Sequence, residues 1–412
     1  MGGLVEILLG IMTAVGGFVE VSEATFAAQA GSRFGYSLLW AFAVATVGII
    51  VFGEMSGRVA AIAKQPVFAL MRQRLGLTLG LFTLAASVVV SLITCAAEIG
   101  AIGLVLNLLV GGPYLGWAVL STSVLILTVW SMPFKWIERV FGLLGLVMLI
   151  FAAATLKIGP DWSQALKGLV PQFPFEASRT DQLAYGYFVV AIFSAVLFPF
   201  ETYFYSSGGI EEHWSKKHLM VNRLTTGVGF SLGSLLAMAL LINSAVLFRP
   251  AGVDPQQPGT LALQAAIPFG KWGLAAALVG LLMAFAGAAV ETCLSAAYSV
   301  AQFFGWPWGR YKRPGETPRF TLAWVGAFLV SLMIVFTGIE PLKLVEWSIV
   351  SSIMVLPLTY LPLLLLANDR SYMREHANGP IANVLGVGFY VILLVVAVAA
   401  LPLFVLTAGG QR

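Results

Sequence analysis

Runs of mostly apolar residues follow one another along this chain from end to end, each long enough to cross a hydrocarbon core about 30 Å thick. Inside a bilayer there is no water to bond exposed amides, so runs of this length cross it as helices that satisfy their own backbone. Barrel strands would alternate in short segments, and these runs do not. Charge agrees with this reading: only 10% of the 412 residues are charged, against about 25% in soluble domains. The expected fold class is an all-α polytopic membrane protein, a single transmembrane domain over residues 1–412 with no soluble module.

Eleven spans are expected, at 4–29, 34–61, 75–108, 114–131, 136–158, 183–208, 222–248, 262–304, 319–337, 342–367 and 382–408. Connections are short except around 159–182 and 249–261. The opening "MGGLVEILLG" lacks a basic n-region, and the apolar stretch after it is too long for a cleavable signal. Glu6 as the sixth residue argues against myristoylation. Cys95 and Cys293, the only cysteines, both fall in expected spans, which argues against a disulfide scaffold and a cysteine-rich zinc site.

The net charge of +4 calls for no nucleic-acid partner, and its distribution is more informative. With the N-terminus in the cytoplasm, fifteen Lys and Arg fall on the inner side and eight on the outer. Positive loops favour the cytoplasmic side. The expectation is a multi-pass protein of the plasma membrane, in contact with the lipid bilayer, N-terminus inside and C-terminus outside. "WGRYKRPGETPR" (308–319) is the strongest inner marker and reads as a topological charge cluster.

Against this apolar background, acids stand out. "GGFVEVSEAT" (16–25) carries Glu20 and Glu23 one turn apart in the first span, and "SAVLFPFETYFYSSG" (194–208) carries Glu201 in the sixth. An ionisable residue at bilayer depth is costly and marks a functional site by default. Gly16 and Gly17 weaken the first span just before its acids, and Pro199 breaks the sixth just before Glu201. Spans one and six would be corresponding members of an inverted five-plus-five repeat. Interruptions at matching positions of two halves point to a transporter's central site. Unwound carbonyls together with carboxylates suit a hard cation. Of the other acids, Glu54 lies near an inner span end and reads as structural. Glu98 is mid-span and fits a proton or vestibule role. Glu291 lies in a small-residue helix, where it is either an interhelical hydrogen-bonding group or a pathway residue. Glu346 is near an outer end, a vestibule residue at most. His213, His218 and His376 all fall in loops, so no imidazole is expected within the membrane.

Three stretches carry a resemblance. "QAGSRFGYSLLWAFAVATVG" (29–48), "AAEIGAIGLVLNLLVGGPYLG" and "LPLTYLPLLLLANDRSYMREHANGPIANVLG" resemble, in order, helices one to two, three and ten to eleven of the Nramp family of proton-coupled divalent metal transporters. The resemblance implies a LeuT-like bundle with helices one and six broken around an ion site. The family's first-helix motif, Asp-Pro-Gly-Asn, falls on Glu20-Val21-Ser22-Glu23. Its sixth-helix Met-Pro-His falls on Phe198-Pro199-Phe200, and the Asn after it on Glu201. A carbonyl ligand maps to Ala195 and a second histidine to Tyr205. The third-helix Asp becomes Cys95 while its Glu is kept as Glu98, and a tenth-helix Gln becomes Ile349. A thioether and two histidines are thus lost, and two carboxylates are gained.

The expected function is alternating-access transport of a hard divalent cation, Mg²⁺, Mn²⁺ or Ca²⁺ in that order. Glu20, Glu23 and Glu201 would be the ligands, with the Ala195 carbonyl implied by the resemblance. Phe198 would fill core. Protons or Na⁺ are the candidate coupling ions. No enzymatic activity and no cofactor are expected, the cation being substrate. The alternative is a Na⁺- or H⁺-driven transporter of a small organic solute on the same fold.

Overall fold

The computed structural model describes residues 19–132 and 134–411. Its helices, in chain order, are α1 (Val21–Phe34), α2 (Leu39–Ala63), α3 (Val67–Val110), α4 (Tyr114–Ser131), α5 (Phe134–Gly145), α6 (Leu149–Ile158), α7 (Trp162–Lys167), α8 (Arg179–Val196) and α9 (Pro199–Glu211). There follow α10 (Leu219–Leu224), α11 (Phe230–Leu247), α12 (Pro258–Phe304), α13 (Pro318–Phe336), α14 (Pro341–Asn368), α15 (Arg370–Met373) and α16 (Pro380–Thr407). Among the described residues there is no strand, and ten helical stretches are long and apolar enough to cross a membrane. With α1 as the later part of the first span, these are the eleven expected crossings. The expected start of that span, with the Gly16–Gly17 interruption, lies outside the described residues.

Boundaries moved where backbone chemistry overrode hydropathy. The expected spans leave 30–33 as the loop between the first and the second, yet α1 runs through it to Phe34 and turns at Gly35, whose φ is 62°. The cause is packing: a Cβ on Gly31 would lie 2.0 Å from the Leu241 carbonyl oxygen, so glycine lets α1 lie directly against α11. The expected eighth span is divided, and the long helix that holds the third is broken just where that span was expected to begin. Backbone geometry leaves the helix at Gly76 in α3 and at Gly270, two residues after Pro268, in α12. The fifth span is α5 and α6 joined by a 3₁₀ turn, and the seventh is α10 and α11 joined by a π-helical turn at Thr225–Gly229.

The core forms where the two halves meet. α1 packs chiefly on α11 and α8, while α3 packs on α12 and α14. Large apolar side chains on α4, α13 and α16 remain exposed, as lipid-facing surfaces require. Helices one and six of the repeat, α1 and α8–α9, therefore lie inside a scaffold of longer, continuous helices.

Candidate ion site

The sixth-span break follows from one residue. Pro199 has no N–H, so the Ala195 carbonyl four residues earlier cannot receive its helical bond. The last backbone bond of α8 runs from Leu197 N to Phe193 O at 3.1 Å, and Phe198 is extended (φ −59°, ψ 136°). The chain then restarts as α9 with Pro199 in its first turn, where a missing N–H costs nothing. The opening is held from α14. Tyr360 Oη donates to the Leu197 carbonyl at 3.3 Å, and the Ser194 hydroxyl donates to the Ile349 carbonyl at 2.7 Å. Glu201 sits in the first turn of α9, where a helix N-terminus favours negative charge.

The first span has the mirror arrangement. Glu20 is extended (φ −83°, ψ 168°), α1 begins at Val21, and Glu23 lies in its first turn. Glu98 Oε1 on α3 accepts the Val21 N–H at 3.0 Å, so its carboxylate caps the helix start. Glu20, Glu23 and Glu98 are buried and Glu201 is half-buried. Glu20 is within electrostatic reach of Glu98, Glu201, Glu291 and Glu23, and Glu201 in turn of Glu23 and Glu291. One carboxylate oxygen each of Glu20, Glu98 and Glu201, and both oxygens of Glu23, have no hydrogen-bond partner. Burying a carboxylate without a partner is strongly unfavourable, so a cluster of them calls for a cation, a proton or water.

Among the described residues, no three His, Cys, Asp or Glu side chains are gathered tightly enough to hold a metal ion by themselves. A complete coordination shell here would draw on backbone oxygen and solvent as well as carboxylates. Glu291, which the sequence left between two roles, joins the electrostatic group on Glu201 and Glu20. Ala195 is buried at the end of α8, its carbonyl released by Pro199 as described.

Elsewhere the replaced positions are filled by packing. The Phe198 ring stacks on Phe200, centroids 4.9 Å apart and planes at 28°. Tyr205 Oη donates to Asn222 Oδ1 at 2.9 Å, and Asn222 Nδ2 donates to the Glu54 carbonyl at 2.9 Å. Glu54 pairs with Arg58 at 3.0 Å, the structural role expected of it. Glu346 is buried and meets the C-terminal turn, with Gln411 Nε2 3.4 Å away, rather than lining an open vestibule. His213 and His376 fall outside the candidate membrane spans, whereas His218 lies at the very start of the stretch Lys216–Leu247.

Three features escaped the sequence. The Cys95 and Cys293 sulfurs lie 3.1 Å apart as buried free thiols, bringing α3 against α12. Tyr360 braces the break, and nothing in its local pattern marks it. Arg310, within the charged run 308–319, is not solvated: its side chain is 3% exposed and pairs with Glu211 at 2.9 Å and Glu212 at 3.1 Å. Its burial beside Trp308 and Tyr311 leaves a mixed basic and aromatic pattern in the sequence, which was the available signal.

A family model described as natural resistance-associated macrophage protein-like (Nramp) matches residues 10–402. The divalent metal cation transporter MntH 1 of Pseudomonas aeruginosa is 26% identical over 384 residues, covering 90% of this chain and 84% of its own length. MntH of Ralstonia nicotianae is 24% identical over 393 residues, covering 91% and 85%. Among solved structures, a manganese transporter of Eremococcus coleocola superposes with a TM-score of 0.78 at 17% identity, covering 98% of this chain and 87% of its own. MhsT in complex with L-phenylalanine gives 0.60 at 16% identity, covering 97% and 98%. At such identities the two structures speak for the fold alone.

Proposed function

Because this chain belongs to the Nramp family, we propose that it is a secondary transporter of a divalent metal cation working by alternating access. Its carboxylate ligands are Glu20, Glu23 and Glu201, which must draw closer around the ion than they stand in this conformation, with the Ala195 carbonyl and water completing the shell. The observation that carries this reading is the set of buried, unpartnered carboxylate oxygens at two helix breaks. Curated relatives named as divalent metal cation transporters support it.

The donors are all oxygen, so the substrate is a hard ion. Carboxylate, carbonyl and water suit Mg²⁺, Mn²⁺ and Ca²⁺, whereas a thioether is what selects soft ions. Phe198 offers none and is committed to its stack with Phe200. Mn²⁺ is the ion that fits both this donor set and the relatives' chemistry, and Mg²⁺ and Ca²⁺ are its competitors. Any proton coupling rests on Glu98 and Glu291, since Cys95, Phe200 and Tyr205 occupy the positions where the family's motifs place titratable groups. The protein resides in the plasma membrane as one domain with its N-terminus in the cytoplasm.

Calorimetry on the purified protein, paired with uptake into proteoliposomes, tests the reading. Mn²⁺ should bind, millimolar Mg²⁺ or Ca²⁺ should compete, and Cd²⁺ should gain no special advantage. Micromolar Cd²⁺ binding undisturbed by millimolar Mg²⁺ would refute the hard site. Absence of any divalent binding, with Na⁺-dependent uptake of an amino acid instead, would favour the second reading. The fold shared with MhsT, solved with L-phenylalanine, is the observation behind that alternative.

A further inference from the structure

Where α4 ends and α13 begins, a cavity of about 310 Å³ opens, and among the described residues no acidic side chain lines it. Its walls include Trp130 and Ser131 at the end of α4, Trp324 on α13, and Arg310, Lys312 and Arg313 of the loop between α12 and α13. Arg310 forms the back wall and is already committed to Glu211 and Glu212. Lys312 and Arg313 are exposed, and among the described residues neither carries an ion pair. Two uncompensated cations thus face one concave space.

The depth of this space is fixed by the helices around it. α4 and α13 are both membrane-spanning, so their adjoining ends lie at the level of lipid headgroups. Trp130 is 52% exposed and meets Trp324 edge-on, ring centroids 6.2 Å apart, as tryptophans at a membrane interface do. From Trp130 the exposed face of α4 continues through Leu127, Val124 and Leu120 into the apolar region. A soluble anion needs the cations but has no use for that apolar path. A phospholipid needs both.

We propose that this cavity binds the phosphate headgroup of an anionic phospholipid, with Lys312 and Arg313 contacting the phosphate and an acyl chain lying along α4. Basic pockets between transmembrane helices favour anionic headgroups on such grounds. Because the loop holding the phosphate also holds the end of α9 through Arg310, bound lipid steadies the inner end of the broken sixth helix. The site is separate from the carboxylate cluster and does not depend on which substrate that cluster carries.

Native mass spectrometry of the delipidated full chain tests it, with phosphatidylglycerol, phosphatidylcholine and inorganic phosphate added separately. Phosphatidylglycerol should be retained in preference to phosphatidylcholine. Lys312→Gln and Arg313→Gln should each weaken retention about fivefold, and the double variant about thirtyfold. Lys216→Gln, in an exposed pair with Glu375 and outside the cavity lining, should leave retention unchanged. Thermal unfolding of each variant without lipid checks that all are folded. Equal retention of the two lipids, or equal retention by wild type and double variant, would overturn the proposal. So would millimolar inorganic phosphate displacing phosphatidylglycerol, which would make the cavity a site for a free anion.

Discussion

Glu23 exposes the logic of the site at the level of single side chains. Both its carboxylate oxygens are buried and unpartnered, in the first turn of a helix whose start is capped by a different acid, Glu98. Replacing Glu23 or Glu201 with Gln keeps shape and removes charge, and should weaken Mn²⁺ binding by roughly 1–3 kcal/mol, the scale of a hydrogen bond to a charged group. Calorimetry measures it directly, and unchanged affinity in both variants would remove them from the ligand set. A carboxylate must be deprotonated to ligate, so binding should release protons and weaken as pH falls from about 8 to about 5. Phe198→Met should raise Cd²⁺ affinity only modestly, because the acids around it still favour hard ions. These residues were legible from sequence because a carboxylate in an apolar run has few bland explanations. Cys95 and Cys293 were not: a cysteine in a helix looks like any small apolar residue until the fold brings two together.

Secondary-structure elements carry the next layer of the argument, since the site exists only because two helices stop. Pro199 announced the sixth break in the sequence, and the consequence at Ala195 follows from counting back four residues. Pro199→Ala restores an N–H and lets α8 run on into α9. The regained bond would occupy the Ala195 carbonyl, so metal affinity should fall even though every carboxylate remains. Unchanged affinity with a healed helix would show that this carbonyl is not a ligand. The kink at Gly76 coincides with the expected start of the third span after Arg72 and Arg74, whereas the one at Gly270 falls inside the expected eighth span and was missed. The C-terminal turn was equally hidden. Gly409 has φ 69°, and a Cβ there would lie 2.6 Å from Glu346 Oε2. Gly409→Val should therefore destabilise the fold by about 1–3 kcal/mol, combining backbone strain with a clash against a buried acid. A lowered thermal midpoint would register it.

For the molecule as a whole, alternating access requires the carboxylates to face each side of the membrane in turn, so the sidedness of the chain matters. The fold class was readable because eleven long apolar runs leave a bilayer protein little choice, but sidedness rests only on the excess of Lys and Arg on one face. The structure offers a clean way to test it. Cys95 and Cys293 are 0% and 1% exposed, so a membrane-impermeant maleimide has little native thiol to find. Lys217 lies between α9 and α10 and Lys271 beside the Gly270 kink of α12; both are exposed, and the predicted topology places them on opposite sides. With the N-terminus inside, Lys271→Cys should label in intact cells, while Lys217→Cys should label only after permeabilisation. The reverse pattern would invert the topology, placing the basic loop 308–319 and its lipid cavity on the outer leaflet. Labelling of both in intact cells would mean that the two loops share a side, which the single crossing by α10 and α11 between them, together with the eleven-span count, does not allow.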